Sequence, residues 1–268
     1  MRGAAGGWAA LGAGAAVGAA YWAGFGPRTQ LWGPFPYQRA DHRGSHEPSH
    51  EPGNGPEEPR EGRLAGGADK VVALSFDDGP NEPWTGRLLD VLAAKDVRAT
   101  FFQVGRCAER FPSTTRRVVD EGHVLGNHSL NHSFSSYVHD PRQRHEVARA
   151  QDVLHRVSGV VPTLYRPPWL CHWPWVLRTV EGAGLQVVSG TFGHPLEVFQ
   201  PAAARMTAGT ARRVRPGSIM IMHDGREARG GDRSQTVASI GPLIDRLRGD
   251  GYSFTTVDRM LGVPAHLG

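Results

Sequence analysis

At 268 residues the chain can hold one large domain or two small ones, and 39% hydrophobic residues, with seven Trp and ten Phe, are enough for a sizeable core. The formal charge of +4 rests almost wholly on arginine, Lys70 and Lys95 being the only lysines. Basic residues are spread along the chain without a block interleaved with aromatics, which argues against a nucleic-acid partner.

Residues 1–32 read as an export segment. From Gly3 to Pro27 there is no charge, and the stretch GAAGGWAALGAGAAVGAAYWAGFG carries Trp8, Tyr21 and Trp22 towards its ends. As a helix, about 24 residues rising about 1.5 Å each span about 36 Å, enough for a bilayer. Arg2 and the α-amino group put positive charge on the inner flank and orient the remainder outward. A retained membrane anchor and a cleaved secretory signal both stay open, and both export the protein. Residues 33–68 turn to Pro, Gly, Glu, His and Arg with almost nothing aliphatic to bury, the composition of a flexible, disordered linker. A catalytic domain is expected over 69–268.

Within that domain short apolar runs alternate with helical segments. Strands are predicted at Val71–Phe76, Arg98–Val104, His123–Gly126, Thr163–Tyr165, Leu185–Ser189, Ser218–Met222 and Tyr252–Val257. Between them, Val147, Ala150, Leu154 and Val157 share one helix face, as do Ile240, Leu243, Ile244 and Leu247. Such alternation implies parallel strands with helices outside, in a barrel or an open doubly wound sheet. About seven strands in roughly 200 residues favour an irregular (β/α) barrel, whose functional groups stand where strands end.

Those ends carry chemistry. SFDDGP closes the first strand with adjacent carboxylates, Asp77 and Asp78, whose repulsion requires a nearby cation or a shared proton. GNHSLNH follows the third, where one helical turn would bring His128 and His132 to the same side. Two imidazoles and one carboxylate suffice for a catalytic zinc with a position left for water. In YRPPW, Arg166 is followed by two prolines, so the first backbone donor after it is the Trp169 N–H, suited to a developing oxyanion. SIMIMHDG sets His223 at a strand mouth, the place of a general acid or base. Cys107 and Cys171 lie far apart, and both a disulfide and two buried thiols stay open.

Together, SFDDGP, HSLNH, RPPW and IMH, in this order, resemble the polysaccharide deacetylases of carbohydrate esterase family four, the NodB-homology group, over about Lys70 to Gly262. The resemblance implies an irregular (β/α) barrel of seven or eight strands. It implies removal of acetyl groups from N-acetylated sugars in chitin, peptidoglycan and related polymers, or from acetylated xylan, with a divalent metal, usually Zn2+. Carried onto this sequence, it implies Asp78, His128 and His132 as metal ligands and Asp77 as the general base, held by Arg166. The Trp169 N–H would support the carbonyl oxygen, and His223 would protonate the leaving amine. The family's Asp-x-x-Asp-Trp stretch corresponds to HPLEV, with His194, Glu197 and Val198 at those spacings. Glu197 is expected to replace the Asp beside His223 at the substrate pocket, and Trp173, with Trp169 or Trp175, to replace the absent Trp under a sugar. The resulting expectation is an exported, membrane-tethered or secreted metal-dependent hydrolase of an N-acetylated polysaccharide, with no specific protein partner. An O-acetyl esterase of xylan type and a catalytically weak glycan-binding relative are the alternatives.

Overall fold

Each apolar run predicted as a strand forms one. They are β1 (Val71–Asp77), β2 (Thr100–Gln103), β3 (Val124–Asn127), β5 (Leu164–Tyr165), β6 (Gln186–Val187), β8 (Ser218–His223) and β9 (Ser253–Thr255). Three further short strands are β4 (Val161–Pro162), β7 (Thr191–Phe192) and β10 (His266–Leu267). The helices are α1 (Trp84–Ala94), α2 (Gly105–Arg110), α3 (Pro112–Asp120), α4 (Asp140–Ser158), α5 (Pro174–Gly182), α6 (Ala203–Ala211), α7 (Ser234–Gly249) and α8 (Val257–Leu261). The structure is a computed structural model that describes residues 70–137 and 140–267. The expected export segment and linker lie outside the described residues, among which no helix is long and apolar enough to cross a membrane.

All pairings in the main sheet are parallel, in the order β6-β5-β3-β2-β1-β8-β7 with β9 added to β1. One edge of β1 pairs with β8 from Val72 to Asp77. The other edge is divided, β9 taking Val71–Ala73 and β2 taking Ser75–Asp77. That division is the irregularity of the barrel. The edge strands β6 and β7 are consecutive in the chain, separated only by residues 188–190. A single run therefore pairs with β5 at its start and β8 at its end, and the sheet curls round. The architecture is the expected α/β one, a curled (β/α) barrel-like sheet.

Side chains alternate across the pleat, which sorts each strand into two faces. Val72, Leu74 and Phe76 of β1, with Met220 and Met222 of β8, pack against Leu88, Leu89 and Leu92 of α1 and Ile240, Leu243, Ile244 and Leu247 of α7. Each of these Leu and Ile side chains contributes about 1.5–3 kcal/mol by burial. Ala73 and Ile219 face the other way, into the curl, with Phe102, Leu164, Val188 and Met260. The same alternation puts Ser75, Asp77 and His223 on the inner face. Thus two strands are fixed from outside by apolar helices while their C-terminal inner positions stay polar.

The two cysteines are separate buried thiols. Burial pushes each up to about 12, so neither supplies a thiolate at neutral pH.

Candidate active site

Arg166 directly follows β5 and is fully buried. Its Nη1 donates to Asp77 Oδ1 at 2.6 Å and to Ser75 Oγ at 2.8 Å, and its Nη2 donates to the Ser189 carbonyl at 3.2 Å. The guanidinium lies 4.1 Å from the Phe102 ring centroid, and Ser75 Oγ donates onward to Met220 O at 2.7 Å. Arginine thus spans the interior from β5 to β1 and sets the position of Asp77. Replacing Arg166 by Met leaves Asp77 buried without its cation, and the expected loss is about 3–5 kcal/mol of stability. Denaturant unfolding measures it, and a loss under about 1 kcal/mol would show that Asp77 finds another partner.

Asp78 takes up a left-handed backbone (φ 74°), a conformation Asp tolerates better than most residues. Its chain lies so close to the end of β8 that a Cβ added at Gly225 would stand 2.2 Å from the Asp78 carbonyl oxygen. Asp78 Oδ2 accepts the Glu227 N–H at 2.9 Å. Oδ1 is buried without a hydrogen-bond partner, while His128 Nε2 and His132 Nε2 stand 3.3 and 3.0 Å from it. Burial acts to raise the Asp78 carboxyl, but the two imidazoles outweigh it and hold it well below the usual carboxylate range.

The histidine pair does not converge through a helical turn, as its spacing predicts. Residues 128–132 form a loop in which Ser129 (φ 68°) and His132 (φ 52°) are left-handed. Asn127 Oδ1 accepts the Ser129 N–H, Ser129 Oγ accepts the His132 N–H, and Glu146 of α4 accepts both Asn131 donors. His128 donates from Nδ1 to the Arg166 carbonyl at 2.6 Å, which leaves Nε2 its lone pair. The His132 ring is braced by the Trp169 edge at 4.3 Å between centroids. One donor atom from each of Asp78, His128 and His132 lies within 4.8 Å of the others, all three residues being buried. Two imidazoles and a carboxylate fit a catalytic divalent metal with open positions.

On the opposite wall, His223 donates from Nδ1 to Glu197 Oε2 at 3.1 Å, and its backbone N–H donates to Glu197 Oε1 at 2.9 Å. Thr236 Oγ1, in the first turn of α7, also donates to Oε1. Burial acts to lower the His223 imidazole, but the Glu197 carboxylate, with Asp78 and Asp77, pushes it up to about 9.

A cleft of about 460 Å³ opens over these groups, with Asp77, Asp78, His128, His132, Glu197 and His223 in its lining. Comparison with known proteins reaches the same region. A family model described as polysaccharide deacetylase matches residues 65–188. A peptidoglycan-N-acetylglucosamine deacetylase of Bacillus cereus is 32% identical over 194 residues, covering 72% of this chain and 89% of that protein. The chain belongs to the polysaccharide deacetylase family. A chitooligosaccharide deacetylase of Sinorhizobium fredii is 34% identical, over 72% of this deacetylase and 91% of its relative. Among solved structures, a peptidoglycan N-acetylglucosamine deacetylase matches with a TM-score of 0.69 and 28% identity, over 74% of this chain and 91% of that one. A family 4 acetyl xylan esterase from Clostridium thermocellum, in complex with a cobalt ion, matches at 0.66 and 31% identity, over 74% and 94%. The protein is thus a hydrolase of that family, and its named relatives are deacetylases that act on carbon–nitrogen bonds.

One expectation for this deacetylase needs correction. Trp173 is outside the cleft, stacked on Trp175 at 5.4 Å and packed on the core between α4 and α5. Glu197 stands at the cleft beside His223, its carboxylate accepting from the His223 ring and backbone N–H and from Thr236. His194 also lines the cleft, its ring packed so tightly on α6 that a Cβ at Gly209 would meet it at 2.5 Å. The sequence reasoning missed Asp224, a buried carboxyl that accepts Thr85 Oγ1 at 2.6 Å and that burial raises to about 7. The triplet HDG at the end of β8 was the available signal for it. Arg233, buried at the N-cap of α7, had no sequence signal at all.

Proposed function

We propose that this deacetylase removes N-acetyl groups from an N-acetylated glycan of the cell envelope or its surroundings, of peptidoglycan or chitin type. It would do so with a divalent metal, zinc, held by Asp78, His128 and His132. The observation that carries the metal is Asp78 Oδ1, a buried anionic oxygen with no hydrogen bond, faced by two imidazole nitrogens at 3.0 and 3.3 Å. Such an atom is costly unless a cation completes it. When bound, zinc lowers the pKa of water and polarises a carbonyl.

The chain's own residues supply the rest. Arg166 occupies one oxygen of Asp77 and orients the other to take a proton from the attacking water. The Trp169 N–H donates to the acetyl oxygen as it turns negative. His223, fixed at Nδ1 by Glu197, gives its Nε2 proton to the amine as the C–N bond breaks, releasing acetate. With its imidazole near 9, the donor form persists at neutral pH. The uncharged N-terminal stretch and the Pro/Gly-rich segment after it support an exported enzyme, anchored or released, working on envelope glycan.

The similarity to an acetyl xylan esterase supports one competing bond, the O-acetyl ester. An alkoxide leaves with less need of a proton than an amine does, so a charged His223 favours the amide. Acetate release from N-acetylated chito-oligosaccharides and from O-acetylated xylan oligomers, assayed in parallel with zinc, separates the two. Higher kcat/KM on the chito-oligosaccharide is expected, and release from xylan alone would replace the amide reading with the ester one.

A further inference from the structure

Among the described residues, large apolar side chains that stay exposed are concentrated at one place. They are Phe134, Leu196, Val198, Phe199 and Leu267, and all but Leu267 stand at the cleft mouth. Val198 and Phe199 line the cleft, Leu196 is between two lining residues, and Phe134 packs on Trp169 at 5.4 Å. Phe199 is the most exposed of them, at 77%. An apolar patch with a polar catalytic floor beside it marks a binding surface.

The exposure of Phe199 is built in. Glu197, two residues before it, is buried and fastened to His223 and Thr236. Gln200, immediately after it, is left-handed (φ 50°). Its side chain accepts the Gln235 and Thr236 N–H groups and donates to Thr236 Oγ1. Residues 197 and 200 are therefore pinned to the first turn of α7, and the ring between them is held out into solvent. A rigid aromatic presented in this way binds a flat apolar face at little entropic cost. A pyranose offers such a face, with its C–H groups on one side and hydroxyls round the rim. Because Glu197 also fixes the proton donor, a sugar over Phe199 lies beside the residue being deacetylated.

We propose that Phe199 is a stacking platform for a sugar ring adjoining the acetylated one, and that it makes the enzyme select oligomers over monosaccharides. The proposal rests on the glycan deacetylase reading above. The test uses the full chain loaded with zinc, N-acetylated chitotetraose and N-acetylglucosamine as probes, and the variants Phe199→Ala and Phe199→Trp. In Phe199→Ala, KM for the tetraose rises about tenfold with kcat changed less than about twofold, and preference for tetraose over monosaccharide falls by the same factor. Phe199→Trp restores both. Calorimetric Kd for the tetraose moves in parallel and needs no turnover. An unchanged KM and Kd, equal damage in both variants, or a wild-type protein that does not bind the tetraose would overturn the platform. Tetraose binding that depends on Phe199 without acetate release would instead overturn the hydrolytic reading and leave the platform standing.

Discussion

Asp78→Asn is expected to lose stoichiometric metal and to lower kcat/KM by about 10³-fold or more, whereas Asp77→Asn keeps the metal and loses turnover to a similar extent. The two carboxylates are adjacent in sequence, yet their surroundings separate their roles. Asp78 Oδ1 faces two imidazole nitrogens and makes no hydrogen bond, so in the proposed metal site an amide there weakens the anionic ligand. Asp77 Oδ1 is bound by Arg166, and in the proposed reaction its other oxygen accepts the proton. Metal content by mass spectrometry, read beside kcat/KM, checks both assignments. Metal retained at full occupancy in Asp78→Asn would remove Asp78 from the ligand set, and metal lost in Asp77→Asn would merge the two roles.

Glu197→Gln is expected to shift the alkaline limb of the kcat profile towards acid by two pH units or more. In the native protein Glu197 overrides burial and pushes His223 up to about 9, so the donor form is nearly complete at pH 8. Without the carboxylate, burial loses its main counterweight and the imidazole falls towards its ordinary 6.5, only Asp78 and Asp77 acting to raise it. At pH 8 the protonated fraction, and with it the turnover, then falls by roughly 30-fold, while near pH 5 the variant recovers much of its activity. The same pair contributes to stability with a definite sign. A histidine raised above its unfolded value stabilises the fold fully below about pH 6.5, and that contribution disappears as pH rises through about 9. Thermal unfolding over that window should decline in the native protein and stay flatter in the variant. An alkaline limb that does not move would mean that another group protonates the leaving amine.

The framework of the fold was legible because strands buried by helices read as continuous apolar runs, and β1, β2 and β8 are of this kind. The strand β7 was not, since two residues that follow Gly190 and pair only with β8 leave no run to detect. Site residues at strand ends were identified, but how they meet was not. His128 and His132 converge through left-handed Ser129 and His132, held by Asn127 and Ser129, while Glu146 of α4 holds Asn131 between them. Spacing alone suggested a helical turn. Trp173 shows the same limit. A tryptophan near a motif suggests a sugar platform, yet Pro174 starts α5 directly after it and the ring stacks on Trp175. Phe199 reverses the case, because exposure on a pinned segment is decided by Glu197 and Gln200 bonding to α7, more than thirty residues onward. Arg166 and Asp77, 89 residues apart, could be paired from sequence only through motif order.

Acetate release by the full chain from N-acetylated chito-oligosaccharides and peptidoglycan fragments, followed before chelation, after chelation and after zinc is restored, tests the central claim most directly. Release that stops with the chelator and returns with zinc is the predicted result. Undiminished release from protein shown to be metal-free, or none from folded zinc-loaded protein on any of these glycans, would contradict it.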